Sequence, residues 1–295
     1  MGSKSRVLLF KAVGSLLEAL PEQLDVAVAR SLGATFGHRS KETRANLADN
    51  LAHVLSSAGE QPDEQLLEEF VERGFRSYGH YWAEGAKLPA LSRSTITSRF
   101  VIAEGVEYLY ASKERGEGTI IALPHIGSWE WGGAYLHTLD LTMTAVAEVL
   151  DPPELFDWFK VKREAMGIHI EALDDHAGTV LLSTLRSGGV VGLLCDRDIQ
   201  GNGIDVEFFG ERVAMPAGPA TLALRTGATL VAAACYTGPG RDHFAVVTPP
   251  VEVERTKRLR DDVTRVTQSV TRDLEGLIRR APEQWHVLER RFPSS

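Results

Sequence analysis

Residues 118–136 read GTIIALPHIGSWEWGGAYL, and this is the most informative segment of the sequence. The unbroken run of aliphatic and β-branched residues that ends at Pro124 predicts a buried strand, and Ser128 is a favourable residue for the start of a helix. A strand, a short loop and a helix form the unit of α/β sheets, which bind their ligands beyond the carboxyl ends of the strands. We therefore expect His125, in the loop, to lie at the ligand-binding edge of a sheet.

The chain beyond about residue 117 repeats this alternation of strand and helix. Six further apolar or β-branched runs predict strands at residues 143–149, 168–173, 189–195, 205–209, 229–236 and 243–253. Helical patterns fill residues 128–139, 153–167, 177–188, 216–227 and 256–280. This order predicts an α/β fold with a mixed central sheet flanked by helices.

The first hundred residues read as helices. Helical patterns mark residues 7–20, a segment that starts at Pro21, residues 42–59 and residues 63–88. Neither a repeat nor a low-complexity linker divides the sequence. We therefore expect a single domain over residues 1–295, with a helical part at 1–100 and an α/β core at 101–295.

The composition limits the classes of protein to which the chain can belong. With 43% hydrophobic and 24% charged residues, it is typical of a globular protein. Its formal net charge of −8 argues against a nucleic-acid-binding protein, because such domains normally carry a basic excess. Cys195 and Cys235 each lie within an apolar run, where a cysteine usually behaves as a buried hydrophobe. The cysteines therefore indicate neither a disulfide framework nor a metal site, which fits a reducing compartment.

An apolar stripe and a basic cluster coincide near the N-terminus. The stripe recurs at helical spacing and consists of Leu9, Phe10, Val13, Leu16, Leu17 and Leu20. Lys4, Arg6 and Lys11 surround it. A membrane-spanning helix needs about 20 consecutive apolar residues, whereas Lys11 and Glu18 interrupt this segment. Two interpretations stay open: the stripe faces the protein core, or it lies in the interface of a membrane.

His125 and Glu130 are the candidate catalytic pair of the opening stretch. They form the pattern H-x-x-x-x-E, and the ordinary pKa of histidine, about 6.5, suits proton abstraction near neutral pH. A nearby carboxylate can hold the imidazole in the required tautomer and stabilise its protonated form. The spacing alone is weak evidence, because a histidine at a helix start and a surface glutamate produce the same pattern.

Two other mechanisms compete for this stretch. Ser128 follows a strand and precedes a helix, as the nucleophile of many serine hydrolases does, but the run IGSWE lacks the G-x-S-x-G pattern. A metal hydrolase needs histidines four residues apart or a Cys/His set, and H-x-x-x-x-E supplies neither. General-base catalysis by His125 is therefore the favoured hypothesis.

Five segments resemble one known family in their order and spacing. They read ALPHIGSWEWGGAYL at residues 122–136, AEVLDPPELFDWFKVKREAMGI at 147–168, LLCDRDIQGNGIDVEFFGE at 193–211, MPAGPATLALRTGA at 215–228 and PEQWHVLERRF at 282–292. Over nearly the whole chain they are similar to the bacterial lipid A lauroyl/myristoyl acyltransferases. The similarity to the phosphatidylinositol mannoside acyltransferases is closer, and it rests on the second and third segments.

The resemblance implies a glycerolipid-acyltransferase-like α/β fold with a helical, membrane-associating N-terminal layer. It implies O-acylation of a glycolipid at the cytoplasmic face of the cell membrane, with acyl-coenzyme A as the consumed co-substrate and with neither a metal nor a prosthetic cofactor. The expected acceptor is a sugar hydroxyl of a phosphatidylinositol mannoside. Two alternatives stay open: acylation of a lipid A precursor from acyl carrier protein, and a non-catalytic lipid-binding protein of this fold.

The resemblance also implies roles for individual residues. His125 corresponds to the general base that takes the proton of the acceptor hydroxyl, and Glu130 to the acidic residue of the motif. Asp196 stands where the mannoside acyltransferases have a glutamate that partners the histidine; its alternative is an aspartate that caps the following turn. Arg163 corresponds to an arginine that contacts acyl-coenzyme A, whose phosphates suit a guanidinium. Its alternative is a solvated helix arginine paired with a nearby glutamate.

Further residues are implied to bind substrate, namely Glu148, Arg197, Asp198, Asn202 and Arg225. At Asn202 and Arg225 the residue differs from that of the mannoside acyltransferases, so a contact there falls to the main chain. Trp285 precedes Arg290 and Arg291. Two interpretations stay open for this aromatic residue, contact with an anionic lipid surface or a packed C-terminal tail.

Overall fold

The structure is a computed structural model that describes residues 3–57, 59, 61–256 and 258–293, leaving aside the side chains of residues 3–6, 9, 10 and 23. The described helices are α1 Ser3–Ala19, α2 Glu22–Arg39, α3 Lys41–Ser56, α4 Glu64–Lys87, α5 Arg93–Arg99, α6 Val106–Glu114, α7 Trp129–Thr138, α8 Pro153–Ala165, α9 Ala177–Arg186, α10 Gly218–Thr226 and α11 Leu259–Arg280. The described strands are β1 Phe100–Glu104, β2 Thr119–Leu123, β3 Met143–Ala147, β4 His169–Ala172, β5 Val190–Leu194, β6 Ile204–Phe208, β7 Glu211–Met215, β8 Thr229–Thr237 and β9 His243–Val247.

A seven-stranded sheet with the strand order β1-β9-β8-β2-β5-β3-β4 forms the centre of the molecule. Neighbouring strands run parallel except for β8 and β9, which are antiparallel. Strands β6 and β7 pair with each other as a separate antiparallel hairpin. The predicted α/β fold, with a mixed central sheet flanked by helices and a helical N-terminal layer, is confirmed.

Strand β2 lies in the middle of this sheet and is buried on both faces. Successive side chains of a strand point to opposite faces of the sheet. Ile120 and Ala122 pack in one core with residues of α9, α10 and α11, whereas Ile121 and Leu123 pack in a second core with residues of α7. The unbroken apolar run TIIAL is therefore what a strand with two covered faces requires.

The N-terminal helices pack on the long helix α4. A glycine allows α2 and α4 to cross closely, because a Cβ at Gly79 would lie 2.1 Å from the carbonyl oxygen of Ala29. The buried Asp25, on α2, ties this layer to the rest of the protein. Its carboxylate lies 2.9 Å from Nζ of Lys87 and 2.5 Å from Nη2 of Arg241.

The apolar stripe of α1 faces two ways. Leu17 is buried in a cluster with alanines of α2 and α4, whereas Val13 and Leu16 are exposed. Within the described residues, no helix combines the length and the apolar character that crossing a membrane requires. Four side chains of the prediction lie outside those described, namely Lys4, Arg6, Leu9 and Phe10. The core-facing interpretation thus holds for only part of the stripe.

Several elements differ from the sequence-based prediction. The prediction omits β1, β7, α5 and α6, because these short elements mix polar and apolar residues and have no clear periodicity. The predicted strand at 205–209 exists, but it pairs in the separate hairpin. The predicted strand at 243–253 ends at Val247, since Pro249 and Pro250 cannot donate hydrogen bonds to a sheet.

Candidate active site

The loop between β2 and α7 presents His125 at the carboxyl end of β2. The N–H of Gly127 donates to the carbonyl oxygen of Gln284 at 2.9 Å, and the carbonyl oxygen of His125 accepts from the N–H of His286 at 2.7 Å. Position 127 requires a glycine, because its φ is +53° and a Cβ there would lie 2.0 Å from the carbonyl oxygen of Cys235. The backbone that carries His125 is therefore fixed by the C-terminal segment and by β8.

Asp196 lies beside His125 because β2 and β5 are neighbours whose carboxyl ends coincide, with Leu123 opposite Leu194. Two residues beyond these ends, Nδ1 of His125 lies 2.5 Å from Oδ1 of Asp196. The second carboxylate oxygen, Oδ2, accepts from the N–H of His125 at 2.8 Å and from Nε1 of Trp285 at 2.7 Å. The shorter side chain of an aspartate thus reaches the imidazole.

The carboxyl group of Asp196 is ionised although it is fully buried. Burial alone would raise its pKa, but the charge of His125 and the hydrogen bonds from His125 and Trp285 outweigh burial and lower the pKa of Asp196 to about 2. Because a carboxylate only accepts hydrogen bonds, Nδ1 of His125 carries a proton and donates it. Nε2 is left to take up a proton, and the His125 side chain is 23% exposed.

Among the described side chains, Glu130 contacts Arg163 and Tyr81 rather than the imidazole of His125. Its Oε1 accepts from the hydroxyl of Tyr81 at 2.9 Å and from Nη2 of Arg163 at 3.1 Å. Of the two carboxylates considered for the histidine, the structure places Asp196 against the imidazole. Glu130, in the first turn of α7, orients the arginine instead.

Arg163 is charged in an apolar setting. Its guanidinium lies 4.9 Å from the ring centre of Trp129 and 5.6 Å from that of Phe159. Burial tends to lower the pKa of Arg163, but Glu130 and Tyr81 outweigh burial and raise it. Burial and the charge of Glu130 raise the pKa of Tyr81 well above its usual value, so its hydroxyl stays protonated and donates. Arg163 is therefore paired with a glutamate, but the pair is buried and not solvated as that alternative requires.

The residues that follow Asp196 bond to their own loop and to the C-terminal tail. Oδ2 of Asp198 accepts from the N–H of Gly203 at 2.8 Å, so its side chain closes the loop after β5. Nη2 of Arg197 donates to Oε1 of Glu289 at 3.1 Å. Asn202 is exposed at the tip of the same loop. The structure brings none of these three side chains into a described contact with the imidazole.

Glu148 and Arg225 lie at opposite ends of the parallel strands. Glu148 is exposed and directly follows β3, whose carboxyl end lies at the edge that carries His125. Arg225 is exposed in the last turn of α10, which leads to the amino end of β8, where Thr229 pairs with Thr119. Glu148 is thus on the same side of the sheet as His125, and Arg225 is on the far side.

Ser128 precedes α7 as predicted but is not placed as a nucleophile. It is fully buried, and its Oγ has no hydrogen-bond partner among the described atoms. A serine nucleophile needs a base within hydrogen-bond reach. The geometry therefore gives no support to a serine mechanism.

Trp285 belongs to a packed C-terminal tail. The residue is fully buried, and its indole contacts Asp196. The tail is held by Asn50, whose Nδ2 donates to the carbonyl oxygen of Val287 at 2.9 Å, and by Arg291, whose Nε donates to the carbonyl oxygen of Asp196 at 2.7 Å. The packed-tail interpretation is confirmed, and the lipid-facing interpretation of Trp285 is wrong.

Tyr81 and His286 are site residues that sequence reasoning missed. The ring of His286 lies between helix α4 and the loop of His125, 5.7 Å from the ring of Tyr78 and 5.5 Å from that of Tyr81. Its Nε2 lies 2.9 Å from Oγ of Ser77. Burial and the charge of His125 lower the pKa of His286 to about 3, so its imidazole is neutral at physiological pH. Nothing in the local sequence around Tyr81 indicates its distant partner on α7.

The fold and this site can be compared with known families. The chain matches the family model described as bacterial lipid A biosynthesis acyltransferase over residues 4–294. The chain therefore belongs to the bacterial lipid A biosynthesis acyltransferase family, and it is an acyltransferase.

Individual relatives narrow the comparison. The chain is 30% identical over 292 residues to a phosphatidylinositol mannoside acyltransferase of Mycolicibacterium smegmatis, with 98% of this chain and 92% of the relative covered. It is 32% identical over 277 residues to the protein of the same name from Mycobacterium tuberculosis, with 92% and 84% covered. It is 24% identical over 274 residues to a lipid A biosynthesis acyltransferase of Haemophilus influenzae, with 92% and 82% covered.

Proposed function

We propose that this acyltransferase moves a fatty acyl group from acyl-coenzyme A to a sugar hydroxyl of a phosphatidylinositol mannoside or a closely related glycolipid. The observation that carries the proposal is the contact of His125 with the ionised Asp196 at the carboxyl end of β2. The greater similarity to the two mannoside acyltransferases supports the choice of acceptor.

The chemistry follows from the state of this pair. Nε2 of His125 takes the proton of the acceptor hydroxyl while the hydroxyl oxygen attacks the thioester carbonyl carbon. Asp196 stabilises the imidazolium that forms. The tetrahedral intermediate collapses, the carbon–sulfur bond breaks, and the imidazolium returns the proton to the leaving thiolate. The products are an ester and free coenzyme A, and these reaction steps need neither a metal nor a prosthetic group.

A small apolar cavity lies beside the site. Its volume is about 30 Å³, and its lining includes Leu123 and Trp129, which flank the loop of His125. All of its lining residues are apolar, and Gly132 and Gly133 let α7 lie close to the sheet, since a Cβ at Gly133 would lie 2.6 Å from Cδ1 of Ile168. Because this volume is about that of one water molecule, we infer that the lining side chains move apart when an acyl chain enters.

Polar groups around the site fit the two substrates. The guanidinium of Arg163 has five N–H donors, of which Glu130 and Tyr81 engage only part. We assign the remaining donors of Arg163 to the acyl-coenzyme A donor. Glu148, exposed at the same edge of the sheet as His125, is assigned to the hydroxyl-rich acceptor.

An exposed apolar surface on the N-terminal helices supports peripheral attachment to the cytoplasmic face of the cell membrane. Its members are Leu8, Val13 and Leu16 on α1 and Leu24, Val28, Leu32 and Phe36 on α2. The four residues of α2 recur at every fourth position, so they share one helix face. A helix face of this kind binds at the boundary of headgroups and acyl chains. Co-sedimentation with anionic vesicles checks this point, because Leu32→Glu should weaken it; equal sedimentation of the variant would contradict it.

A transfer assay tests the proposed function. Purified protein is incubated with radiolabelled palmitoyl-coenzyme A and phosphatidylinositol dimannoside, beside His125→Ala and the matched control His176→Ala, which alters an exposed histidine at the start of α9. We expect labelled glycolipid from the intact protein and from His176→Ala only. The alternative acceptor is a lipid A precursor, which the similarity to the Haemophilus influenzae relative supports. Transfer from acyl carrier protein to this precursor, without transfer to the dimannoside, would favour the alternative.

A further inference from the structure

The carboxylate of Asp196 is fixed through both of its oxygens. Oδ1 faces Nδ1 of His125, and Oδ2 accepts from the N–H of His125 and from Nε1 of Trp285. Among the described hydrogen bonds to this carboxylate, the one from Trp285 comes from outside His125. It is therefore the bond that fixes the rotation of the carboxylate relative to the rest of the protein.

Trp285 is itself held firmly. It is fully buried, and its ring lies 5.9 Å from the ring of Phe208 and 6.2 Å from that of Phe209. Its chain neighbours Gln284 and His286 bond to the loop between β2 and α7 at 2.9 and 2.7 Å. Residues 284–286 thus hold the loop of His125 through backbone hydrogen bonds, and they hold Asp196 through the side chain of Trp285.

We propose that Trp285 is a positioning residue for acyl transfer: its indole N–H orients Asp196 so that Oδ1 meets Nδ1 of His125 and Nε2 faces the acceptor. The inference rests on the proposed function of His125 as the base. Trp285 touches neither substrate, and it acts through Asp196. Because this carboxylate is buried, bulk water does not replace a donor that is removed.

A structural role in the core is the competing explanation, and a matched pair of variants separates the two. Trp285→Phe keeps an aromatic ring and removes the N–H. Tyr236→Phe removes a different buried donor from the same core, the hydroxyl that bonds to the carbonyl oxygen of Leu277 at 2.7 Å. A loss of general packing or stability affects both variants, whereas a loss of positioning affects only the first.

Three readouts are measured on both variants. We expect kcat of Trp285→Phe to fall about 10-fold, the lower end of the effect of losing a supporting hydrogen bond behind a catalytic group, with KM for both substrates unchanged. The acid limb of its kcat/KM profile should move to higher pH, because a carboxylate that has lost a donor stabilises the protonated form of its histidine partner more strongly. The proton NMR signal of the Nδ1–H of His125, recorded without substrates, should shift or broaden. Tyr236→Phe should leave all three readouts unchanged.

A double-mutant cycle makes the path through Asp196 explicit. If Trp285 acts through Asp196, adding Trp285→Phe to Asp196→Asn causes no further loss of kcat. An equal loss in both backgrounds, or a folded Trp285→Phe with the kcat and NMR signal of the intact protein, would overturn the proposal. If phenylalanine does not support folding, benzothienylalanine at position 285 keeps the indole shape and replaces the N–H by sulfur. Absence of transfer by the intact protein counts against the proposed function, while the NMR signal still tests Trp285.

Discussion

Among the residues that the structure describes, two buried carboxylates have histidine partners, and one of these two clusters reaches the surface. In the first, Asp196 holds His125. In the second, Oε1 of Glu84 lies 3.1 Å from Nε2 of His80 and 2.7 Å from Nε2 of His243. Burial tends to raise the pKa of both carboxyls, but their histidine neighbours outweigh burial and lower each pKa to about 2. Both clusters therefore hold an ionised carboxylate beside histidine, one histidine in the first cluster and two in the second.

The exposure of the histidines separates the two clusters. The side chain of His125 is 23% exposed, whereas those of His80 and His243 are 2% and 1% exposed. The ring of His243 also stacks on Trp131, with 4.2 Å between the ring centres. Of these three histidines, only His125 is accessible to a substrate. The cluster of Glu84 joins α4, α7 and β9 instead, so access rather than composition decides which cluster can catalyse.

Replacing the carboxylate in the exposed cluster should give the largest effect. In Asp196→Asn, the amide can donate to Nδ1, which moves the proton of the imidazole to Nε2 and removes the base. We expect the single-turnover rate of acyl transfer to fall about 10³- to 10⁴-fold, as loss of the orienting carboxylate does in other enzymes with a histidine base. A fall of kcat smaller than tenfold in folded protein would contradict the assignment.

The matching change in the enclosed cluster should act on stability instead. Glu84→Gln leaves two buried histidines without their carboxylate, and breaking a buried pair of this kind costs about 3–5 kcal/mol. Denaturant unfolding should show a free energy of unfolding lowered by this amount, while kcat of the folded fraction stays unchanged. A loss of kcat without a loss of stability would show that the cluster takes part in catalysis.

His286 extends the comparison to pH. Burial and the charge of His125 lower its pKa from an ordinary 6.5 to about 3, so the unfolded chain binds a proton at a higher pH than the folded protein. The free energy of unfolding is therefore unaffected above pH 6.5 and falls as the pH drops towards 3, by about 1.4 kcal/mol per unit. Asp196 and Glu84 have lowered pKa values, so their contribution to the free energy of unfolding is lost only at lower pH, below about pH 4.5.

This separation of windows can be measured with His286→Gln. Between pH 6.5 and 4.5, the free energy of unfolding of the intact protein should fall by roughly 3 kcal/mol, and that of the variant by much less. Below about pH 3, where His286 is protonated in the folded protein as well, the two curves should run parallel. Equal slopes at pH 6.5 to 4.5 would mean that His286 is protonated in the folded protein.

The smallest effect should come from Glu130, the carboxylate that shares a motif with His125 but contacts Arg163. In Glu130→Gln the arginine loses its charged partner, and we expect KM for palmitoyl-coenzyme A to rise roughly fivefold, equivalent to about 1 kcal/mol. The value of kcat should change little, in contrast to Asp196→Asn. Steady-state kinetics at varied palmitoyl-coenzyme A concentration check this prediction. A large fall of kcat at constant KM would instead show that Glu130 supports His125 as the base.

The sequence predicts the elements that depend on local pattern. The apolar run before Pro124, followed by Ser128, correctly predicts a buried strand, a loop and a helix, and it places His125 at the carboxyl end of the strand. That Asp196 meets His125 depends on β2 and β5 being neighbours, which no local pattern shows; the resemblance supplied this residue. The sheet order is a tertiary property, set by packing of the whole chain.

The partners of Glu130 and the role of Trp285 depend on contacts over long sequence distances. Tyr81 and Arg163 come from α4 and α8, so the spacing H-x-x-x-x-E gives no sign that Glu130 serves an arginine. In the C-terminal tail, the alternation of the buried Trp285 and Val287 is typical of an extended, packed segment. It was a usable signal for the packed tail, but it does not identify Asp196 as the partner of the indole.

The role of Asp196 as the partner of the base is tested most directly by the single-turnover rate of palmitoyl transfer from palmitoyl-coenzyme A to phosphatidylinositol dimannoside, measured side by side for the intact protein, Asp196→Asn and Glu84→Gln. We expect transfer by the intact protein, the same rate for folded Glu84→Gln, and a rate about 10³-fold lower for Asp196→Asn. Equal rates for the intact protein and Asp196→Asn, or a comparable loss in both variants, would contradict this role of Asp196.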